Sequence, residues 1–255
     1  MIGWWRLGRE LDRWAAAGHK PRLWWRDDDA CDGTPALERL VELSERFKLP
    51  LVLAVIPLAG PREGLQRLAE LLGERRAVFT CQHGVTHENR RHPGEADTEF
   101  RADEAPERIA EELVLGRSRM AVFPGHLPLY VPPWNAAHRA LLAALPLAGF
   151  TAFSGSEETA LPGLALRQAH AQLDPLRWKP TPCFRGHGRC LSRLRRLLRT
   201  RRRMRAWREP IGLLTHHLVH DPETWIFLEG LLTYLHADLR VQWPSPADMF
   251  GTDWS

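Results

Sequence analysis

Four clusters of polar residues in the sequence combine the side chains that metal and acid–base chemistry require. The clusters are Asp27 to Asp29, His83 with His87, Tyr130 to Asn135, and His216 with His217. Each follows an apolar run with the length and composition of a strand. Carboxylates and imidazoles are the groups that bind divalent ions such as zinc. The sequence therefore predicts a metal site with acid–base groups close to it.

Three aspartates in succession carry an electrostatic cost at the end of an apolar run. Asp27, Asp28 and Asp29 directly follow Leu23-Trp24-Trp25-Arg26. Their mutual repulsion would raise their pKa values, and a bound cation removes that cost. An acidic turn in which one aspartate caps the next helix would also explain the run.

His83 and His87 have the spacing of a two-histidine metal site. In a helical or tightly turned segment, side chains four residues apart can face one ion. Gly84 gives the backbone the freedom to leave the preceding strand at this point. The pair differs from the zincin protease motif because position 84 is glycine. A buried, hydrogen-bonded role remains open for either histidine.

The segment from Tyr130 to Asn135 is stiff and aromatic, and it ends in a polar residue. It could form the wall of a substrate pocket and direct a backbone N–H at a developing oxyanion. It could equally be a strand-to-helix turn in which Asn135 caps a helix beginning at Ala136. The two roles are compatible with each other.

His216 and His217 end an apolar run, and successive side chains of a strand point to opposite faces. One of them can therefore line the site while the other packs against a helix. Both could instead be ordinary half-buried histidines. Cys81, two residues before His83, is interpreted as a buried thiol rather than a nucleophile.

Strands and helices alternate along the chain around these clusters. Apolar runs predict strands at 23–26, 49–56, 77–82, 127–131, 150–153 and 211–215, and helical periodicity predicts helices at 34–47, 63–72, 104–120, 136–145 and 222–237. Repeated strand–helix units form a parallel sheet, either open or closed into a barrel. Active sites of such folds form at the carboxyl ends of the strands, where the four clusters lie.

We predict a single domain over residues 1–255, beginning with an amphipathic helix. No apolar stretch approaches the roughly 18 residues that span a bilayer. Charged residues interrupt the N-terminus where a signal peptide would be apolar. The four cysteines form no C-x-x-C pair. We therefore expect a cytoplasmic protein with free thiols. A loop over 175–188 and a last strand at 241–243 complete the prediction.

A basic block from about 190 to 208 stands out against a net charge of only +4. Leucines at 191, 194, 197 and 198 recur within it at helical spacing, which predicts an amphipathic helix with a solvated basic face. Binding of nucleic acid or of an anionic surface is the alternative for such a block. We favour the solvated face and do not expect nucleic acid as a partner.

In order and spacing, the clusters resemble the motifs of the polysaccharide deacetylase superfamily, the carbohydrate esterase family 4-like proteins. The paired-aspartate motif is matched by Arg26-Asp27-Asp28-Asp29-Ala30, H-[ST]-x-x-H by His83-Gly84-Val85-Thr86-His87, R-x-P-[YW]-G by Val131-Pro132-Pro133-Trp134-Asn135, and Leu-x-His by Leu214-Thr215-His216. The resemblance covers about residues 20 to 240. It implies a distorted, often incomplete (β/α) barrel with about seven parallel strands.

The resemblance also implies a role for each matched residue. Asp27 would be the general base and His216 the general acid, and the backbone nitrogen of Trp134 would lie at the oxyanion hole. One divalent ion, usually zinc, would be bound by Asp28, His83 and His87. The substrate would be lined by Asp29, Tyr130, Pro133, Asn135 and His217. The implied activity is metal-dependent removal of an acetyl group from an N-acetylated sugar or a related amide.

Three departures from the family pattern bear on the roles of the site residues. Asp29 replaces a glycine, so Asp28 and Asp29 could be the working pair. Gly84 replaces Ser or Thr, and Val131 replaces the arginine that tunes the base. Asp174 or Trp178 could serve as the fourth motif, which has no clear match. The departures leave a second hypothesis, a non-catalytic member of the same fold that binds a glycan or metabolite.

Overall fold

The computed structural model describes residues 2–73, 75–123, 126–157 and 160–251. The α-helices in these ranges are α1 Ile2–Ala16, α2 Pro35–Phe47, α3 Arg62–Leu72, α4 Pro106–Met120, α5 Arg139–Leu147, α6 His187–Arg203, α7 Pro222–His236 and α8 Pro246–Phe250. The strands are β1 Leu23–Ala30, β2 Leu51–Val55, β3 Val78–His83, β4 Leu129–Val131, β5 Ala152–Phe153, β6 Arg167–Gln168, β7 Ala171–Leu173, β8 Leu176–Arg177, β9 Cys183–Phe184 and β10 Ile211–Thr215.

Eight of the strands form one parallel sheet in the order β6-β5-β4-β3-β2-β1-β10-β7. The two edge strands, β6 and β7, are separated in sequence by only Ala169 and His170. The three Cα steps from Gln168 to Ala171 span at most about 11 Å, so the sheet must curl until its edges approach each other. The predicted distorted, incomplete (β/α) barrel is confirmed, with eight parallel strands rather than about seven.

Alternate residues of the strands separate an interior from an outer layer. Trp24 of β1 packs inside the curled sheet with Val52, Leu129 and Leu214. Its neighbour Trp25 packs outward into the layer formed with the helices. This alternation is the two-residue period of a strand. Along the regular part of β1, it directs Arg26 to the interior and Asp27 to the side of the helices.

The helices cover the sheet with the faces that the sequence predicts. Thr34 caps α2, because its hydroxyl accepts a hydrogen bond from the backbone N–H of Leu37 at 3.2 Å. The leucines of α6 are buried, and the indole of Trp14 in α1 donates to the carbonyl of Leu198 at 3.1 Å. Most of the basic block therefore lies on the polar side of a packed amphipathic helix, as predicted, although Arg201 is buried and the helix ends at Arg203.

Three local predictions were wrong in their bounds. The helix expected at 136–145 begins at Arg139, with His138 as its N-cap, because a short 3-10 turn occupies Pro133–Asn135. The expected last strand is reduced to a single bridge between Arg22 and Gln242. The loop expected over 175–188 contains the antiparallel hairpin β8–β9 and the start of α6.

The four cysteines, all within the described ranges, are free thiols, as expected. Burial raises the pKa of the Cys81 thiol, which keeps it protonated and argues against a nucleophilic role. None of the described helices combines the length and the apolarity needed to cross a bilayer.

Candidate metal centre and acid–base site

The three aspartates lie where β1 departs from regular pairing. Asp27 pairs with Leu53 of β2, but the next pair is Ala30 with Val55, so β1 holds one extra residue at this point. Asp29 has a φ of 70°, in the left-handed region that a non-glycine residue rarely adopts. A bulge of this kind redirects side chains at the end of a strand. Each aspartate consequently has different partners.

Asp29 meets the two histidines of the second cluster. Its Oδ1 lies 3.2 Å from Nε2 of His83 and 3.4 Å from Nε2 of His87. One ligand atom from each of the three residues lies within 4.8 Å of the others. Asp28, the ligand expected from the resemblance, is outside this group. The structure thus brings together the histidines as expected, but with the aspartate of the alternative register.

The three converging groups have the chemistry of a cation site. The carbonyl of Val131 lies 3.0 Å from Nδ1 of His83, which places the ring proton there and leaves the Nε2 lone pair directed at Asp29. Two imidazole nitrogens and one carboxylate oxygen then converge as acceptors, and a proton or a metal ion between them relieves the repulsion. An Asp-His₂ donor set suits zinc or a similar divalent ion.

The electrostatics of these residues agree with a site for positive charge. Burial raises the pKa of Asp29, but the hydrogen bond and charge of His83 outweigh burial and hold it well below its ordinary value. Burial alone would lower the pKa of His83, yet Asp29 and Asp28 raise it. Burial and the neighbouring His83 lower the pKa of His87, which keeps that ring neutral and able to bind a metal.

Asp28 is held by an arginine from its own strand. The guanidinium of Arg26 contacts both carboxylate oxygens, with Nε at 2.8 Å from Oδ1 and Nη2 at 2.9 Å from Oδ2. Both side chains are almost fully buried. Arg26 also donates to Oγ of Ser154 at 2.6 Å and to Oδ1 of Asn135 at 2.9 Å. The carboxylate therefore has a fixed orientation and a permanent counter-charge.

His216 completes the acid–base groups. Its Nε2 lies 4.0 Å from Oδ2 of Asp28. The indole of Trp178 packs edge-on against the imidazole, with ring centroids 4.5 Å apart, and donates to Asp174 at 2.8 Å. Both residues proposed for the fourth motif therefore lie beside His216. Burial raises the pKa of Asp174, although the charge of His216 opposes this shift.

Comparison with known proteins shows which fold carries this site. No protein-family profile matches the sequence, and no curated protein matches it. Solved structures do match. A Mycobacterium smegmatis protein assigned as a polysaccharide deacetylase superimposes with a TM-score of 0.65 and 16% identity, over 91% of this chain and 89% of that one. The chain has the polysaccharide deacetylase fold. The resemblance seen in the sequence is thereby confirmed at the level of the fold.

Two further structures share the polysaccharide deacetylase fold with this chain. The Bc1960 peptidoglycan N-acetylglucosamine deacetylase matches with a TM-score of 0.55 and 10% identity, over 92% of this chain and 91% of that one. A mutant of BA3943, a CE4 family pseudoenzyme with restored enzymatic activity, matches with a TM-score of 0.52 and 16% identity, over 90% and 67%.

Glu99 braces the segment from His83 to His87, which we call the histidine loop. Gly84 stands in this loop where the motif it resembles has Ser or Thr. The buried carboxylate of Glu99 accepts hydrogen bonds from the backbone N–H groups of Val85, Thr86 and His87, at 2.6 to 3.0 Å. Sequence reasoning missed Glu99 because it lies 12 residues beyond His87, in a segment without a regular pattern. The only sequence feature that could have indicated Glu99 is an acidic residue in a loop close to the two-histidine motif.

Gly84→Ala is expected to destabilise the protein and weaken metal binding. Gly84 has a φ of 61°, and a Cβ there would overlap the Glu99 carboxylate and lie 2.6 Å from Cγ of Pro133. The left-handed backbone alone costs about 1 to 2 kcal/mol, and displacement of Glu99 adds to this. Chemical denaturation and metal titration measure the two effects.

Gly94→Ala is the matched control for this substitution. Gly94 also has a positive φ, 89°, but no atom lies within 4 Å of the added Cβ. Gly94→Ala should therefore lose only the stability that the left-handed backbone costs, and the protein should keep its metal affinity. Equal losses in the two variants would contradict the bracing role of Glu99.

His217, expected to line the substrate, instead forms a buried pair with Asp27 on the helix side of β1. Asp27 accepts from both Nδ1 and the backbone N–H of His217, the latter at 3.1 Å. Burial raises the pKa of Asp27, but His217 outweighs it and lowers the pKa below its ordinary value. Because the pair is buried, the structure gives Asp27 a structural contact rather than an opening to substrate.

The segment from Tyr130 to Asn135, which we call the proline loop, contributes some side chains to the core and others to the site. Tyr130, expected in the substrate pocket, is fully buried against Phe150, with ring centroids 5.4 Å apart. Its position in the centre of β4 explains this burial, since the parallel strand is covered on both faces. Pro133 is also buried. Trp134 is 39% exposed, and its ring lies 4.4 Å from that of His87.

His220→Gln is expected to make the stability of the protein less dependent on pH. Burial lowers the pKa of His220 to about 4, helped by His216 and His217 and opposed by Asp27 and Asp221. Between about pH 6.5 and 4 the unfolded chain binds a proton that the folded chain does not, so the free energy of unfolding falls as pH falls.

In the variant, neither the folded nor the unfolded chain binds a proton at residue 220. In the wild type the backbone N–H of His216 donates to His220 Nε2 at 3.3 Å, and the side chain of Gln can still accept this hydrogen bond. The loss of stability between pH 7 and 4 should shrink by about 2 to 3 kcal/mol. Urea denaturation at several pH values measures it. An unchanged pH slope would show that His220 is already protonated in the folded protein.

Proposed function

We propose that the protein is a metal-dependent hydrolase that removes an acetyl group from an N-acetylated sugar or a related amide. The observation that carries the proposal is the convergence of Asp29, His83 and His87 on one point, beside a paired carboxylate, Asp28, and a histidine, His216. These groups lie at the carboxyl edge of a sheet with the polysaccharide deacetylase fold, where such folds bind substrates.

In this proposal, Asp29, His83 and His87 hold one divalent ion, with zinc best suited to the donor set. When bound, the ion supplies Lewis-acid polarisation of the acyl carbonyl and makes water more acidic. The Nε2 atoms of the histidines are positioned for this role by their partners: the Val131 carbonyl holds the His83 ring, and Glu99 holds the backbone of His87.

Asp28 is the proposed general base and takes over the role that the resemblance gave to Asp27. Arg26 contacts both of its carboxylate oxygens and fixes its orientation. His216 is the proposed general acid and returns a proton to the leaving amine, since its Nε2 lies 4.0 Å from the base. The backbone N–H of Trp134 is the proposed oxyanion donor. Its φ of 53° turns the chain sharply at this residue.

The non-catalytic alternative rests on the arginine that Val131 replaces in the proline loop. Arg26 of β1 supplies a guanidinium to the candidate base from a different element. The candidate base therefore has a positive partner although the proline loop lacks its arginine. Catalysis is therefore the function that the geometry supports best. Glycan or metabolite binding without turnover remains the outcome that a negative assay would favour.

The test combines elemental analysis with an acetate-release assay. Protein purified without chelator should contain about one divalent ion per chain, and a panel of N-acetylated sugars and amides should include one that releases acetate. Asp28→Asn is the matched negative control, because it removes the base and retains the size of the side chain. Metal-loaded protein that releases no acetate from any substrate in the panel would refute hydrolysis.

A further inference from the structure

A basic cavity lies between the β8–β9 hairpin and the first half of α6. We call it the arginine cavity; its volume is about 680 Å³, and its lining includes Arg177, Trp178, Arg185, Arg189, Arg193 and Arg196. Five of its lining residues are arginines, which give the cavity a positive character that attracts an anion.

Helical geometry explains why α6 brings its arginines to this cavity. Residues 189, 193 and 196 recur at intervals of four and three, so they share one face of the helix. The leucines of α6 cover the opposite face and are buried against the sheet. The packing of the helix therefore determines which arginines face the cavity.

The arginine cavity begins at the residue that covers the candidate general acid. Trp178 lines the cavity, and the same indole packs edge-on against His216 with ring centroids 4.5 Å apart. Asp174, the acid nearest to this point, accepts a hydrogen bond from the Trp178 indole. The arginine cavity and the candidate general acid therefore have one residue, Trp178, as a common neighbour.

Three of the arginines have no carboxylate within ion-pair distance in the part of the chain that the structure describes. These are Arg177, Arg185 and Arg189, and all three are exposed. Arg185 donates to the carbonyl of Leu176, which anchors it to the hairpin. Guanidinium groups bind phosphate through paired, charge-assisted hydrogen bonds. A dianionic phosphate suits a cavity with this many positive charges better than a single carboxylate does.

We propose that the arginine cavity binds a phosphoryl group of the substrate, so that the protein acts on N-acylated sugars that carry a phosphate near the acyl group. This inference rests on the proposed function for the position of the acyl group. The binding of phosphate itself does not depend on hydrolysis, and the two can be tested separately.

The binding test uses calorimetric titration of the full chain with inorganic phosphate at constant ionic strength. Arg177→Gln/Arg189→Gln should weaken binding at least about tenfold, since it removes charge-assisted hydrogen bonds to the phosphate. Arg199→Gln/Arg203→Gln is the matched control, because both arginines are exposed on α6 outside the cavity. Asp29→Asn controls for phosphate bound at a metal ion.

Retained affinity in the two control variants, with loss in the cavity variant, would support the proposal. Three results would overturn it: no phosphate binding to the wild type, equal weakening in both double variants, or loss in Asp29→Asn alone. The second would identify general attraction to the basic helix, as expected for a nucleic-acid surface.

The substrate test compares N-acetylglucosamine with its 6-phosphate. The ratio of kcat/KM for the phosphorylated over the unphosphorylated sugar should fall at least about tenfold in the cavity variant and hold in the control. Hydrolysis with no preference for the phosphate would overturn the substrate assignment. If neither sugar is hydrolysed, the proposed function fails for these substrates, while the titration still decides the cavity.

Discussion

Asp29→Asn is expected to abolish stoichiometric binding of a divalent metal ion, whereas Asp28→Asn is expected to keep the metal and lose hydrolysis. Asp29 is the carboxylate that lies with His83 and His87. Loss of a charged ligand should weaken metal binding by more than about 100-fold, since even residues that only support a ligand contribute 10- to 100-fold. Asp28 makes no such contact, so Asp28→Asn should keep the metal and impair proton transfer, although it also leaves the buried Arg26 guanidinium without its partner and lowers stability.

Asp28→Asn should lower kcat by about 10² to 10⁴, the usual range for removal of a general base. Metal content by elemental analysis and turnover by acetate release separate the two variants. The reverse result, in which Asp28→Asn loses the metal and Asp29→Asn retains it, would restore the register that the resemblance implied.

Asp27→Asn completes this series because the third aspartate has a different partner. It should leave metal content unchanged and destabilise the fold by about 3 to 5 kcal/mol, since His217 would lose its buried counter-charge. Thermal or chemical denaturation measures this change. Loss of turnover without loss of stability would instead identify Asp27 as the base.

Arg26→Gln is expected to produce the second large effect, on both stability and catalysis. The substitution leaves Asp28 buried without its cation, which costs about 3 to 5 kcal/mol. A merely structural role would lower stability and leave the kcat of the folded protein unchanged. A role in orienting the base should also lower kcat in protein that remains folded.

Two companion variants make this prediction specific. Arg26→Lys keeps the positive charge but loses the paired contacts, so it should recover part of the activity and part of the stability. In Arg26→Gln/Asp28→Asn neither side chain is charged, and the double variant should be more stable than the sum of the single losses predicts. Strict additivity would mean that the two residues do not interact as the structure indicates.

The separation of Arg26 and Asp28 by two residues could have predicted their contact. In a strand, such residues share a face. The sequence therefore indicated that Arg26 could supply the guanidinium that the proline loop lacks at Val131. Glu99 offered no such signal, because its contact with the histidine loop depends on the path of residues 88 to 98. The same holds for Trp178 and His216, which come together only through the packing of the β8–β9 hairpin.

By itself, the sequence determined the parallel strand–helix architecture, the edge of the sheet where the polar clusters meet, and the two histidines of the candidate metal centre. Apolar runs and helical periods encode these features locally. Only the tertiary structure decided the division of labour among Asp27, Asp28 and Asp29. Simple alternation would place Asp27 and Asp29 on one face, but the extra residue in β1 and the positive φ of Asp29 break it. The bulge is defined by pairing with β2, which no local pattern in the run of aspartates reveals.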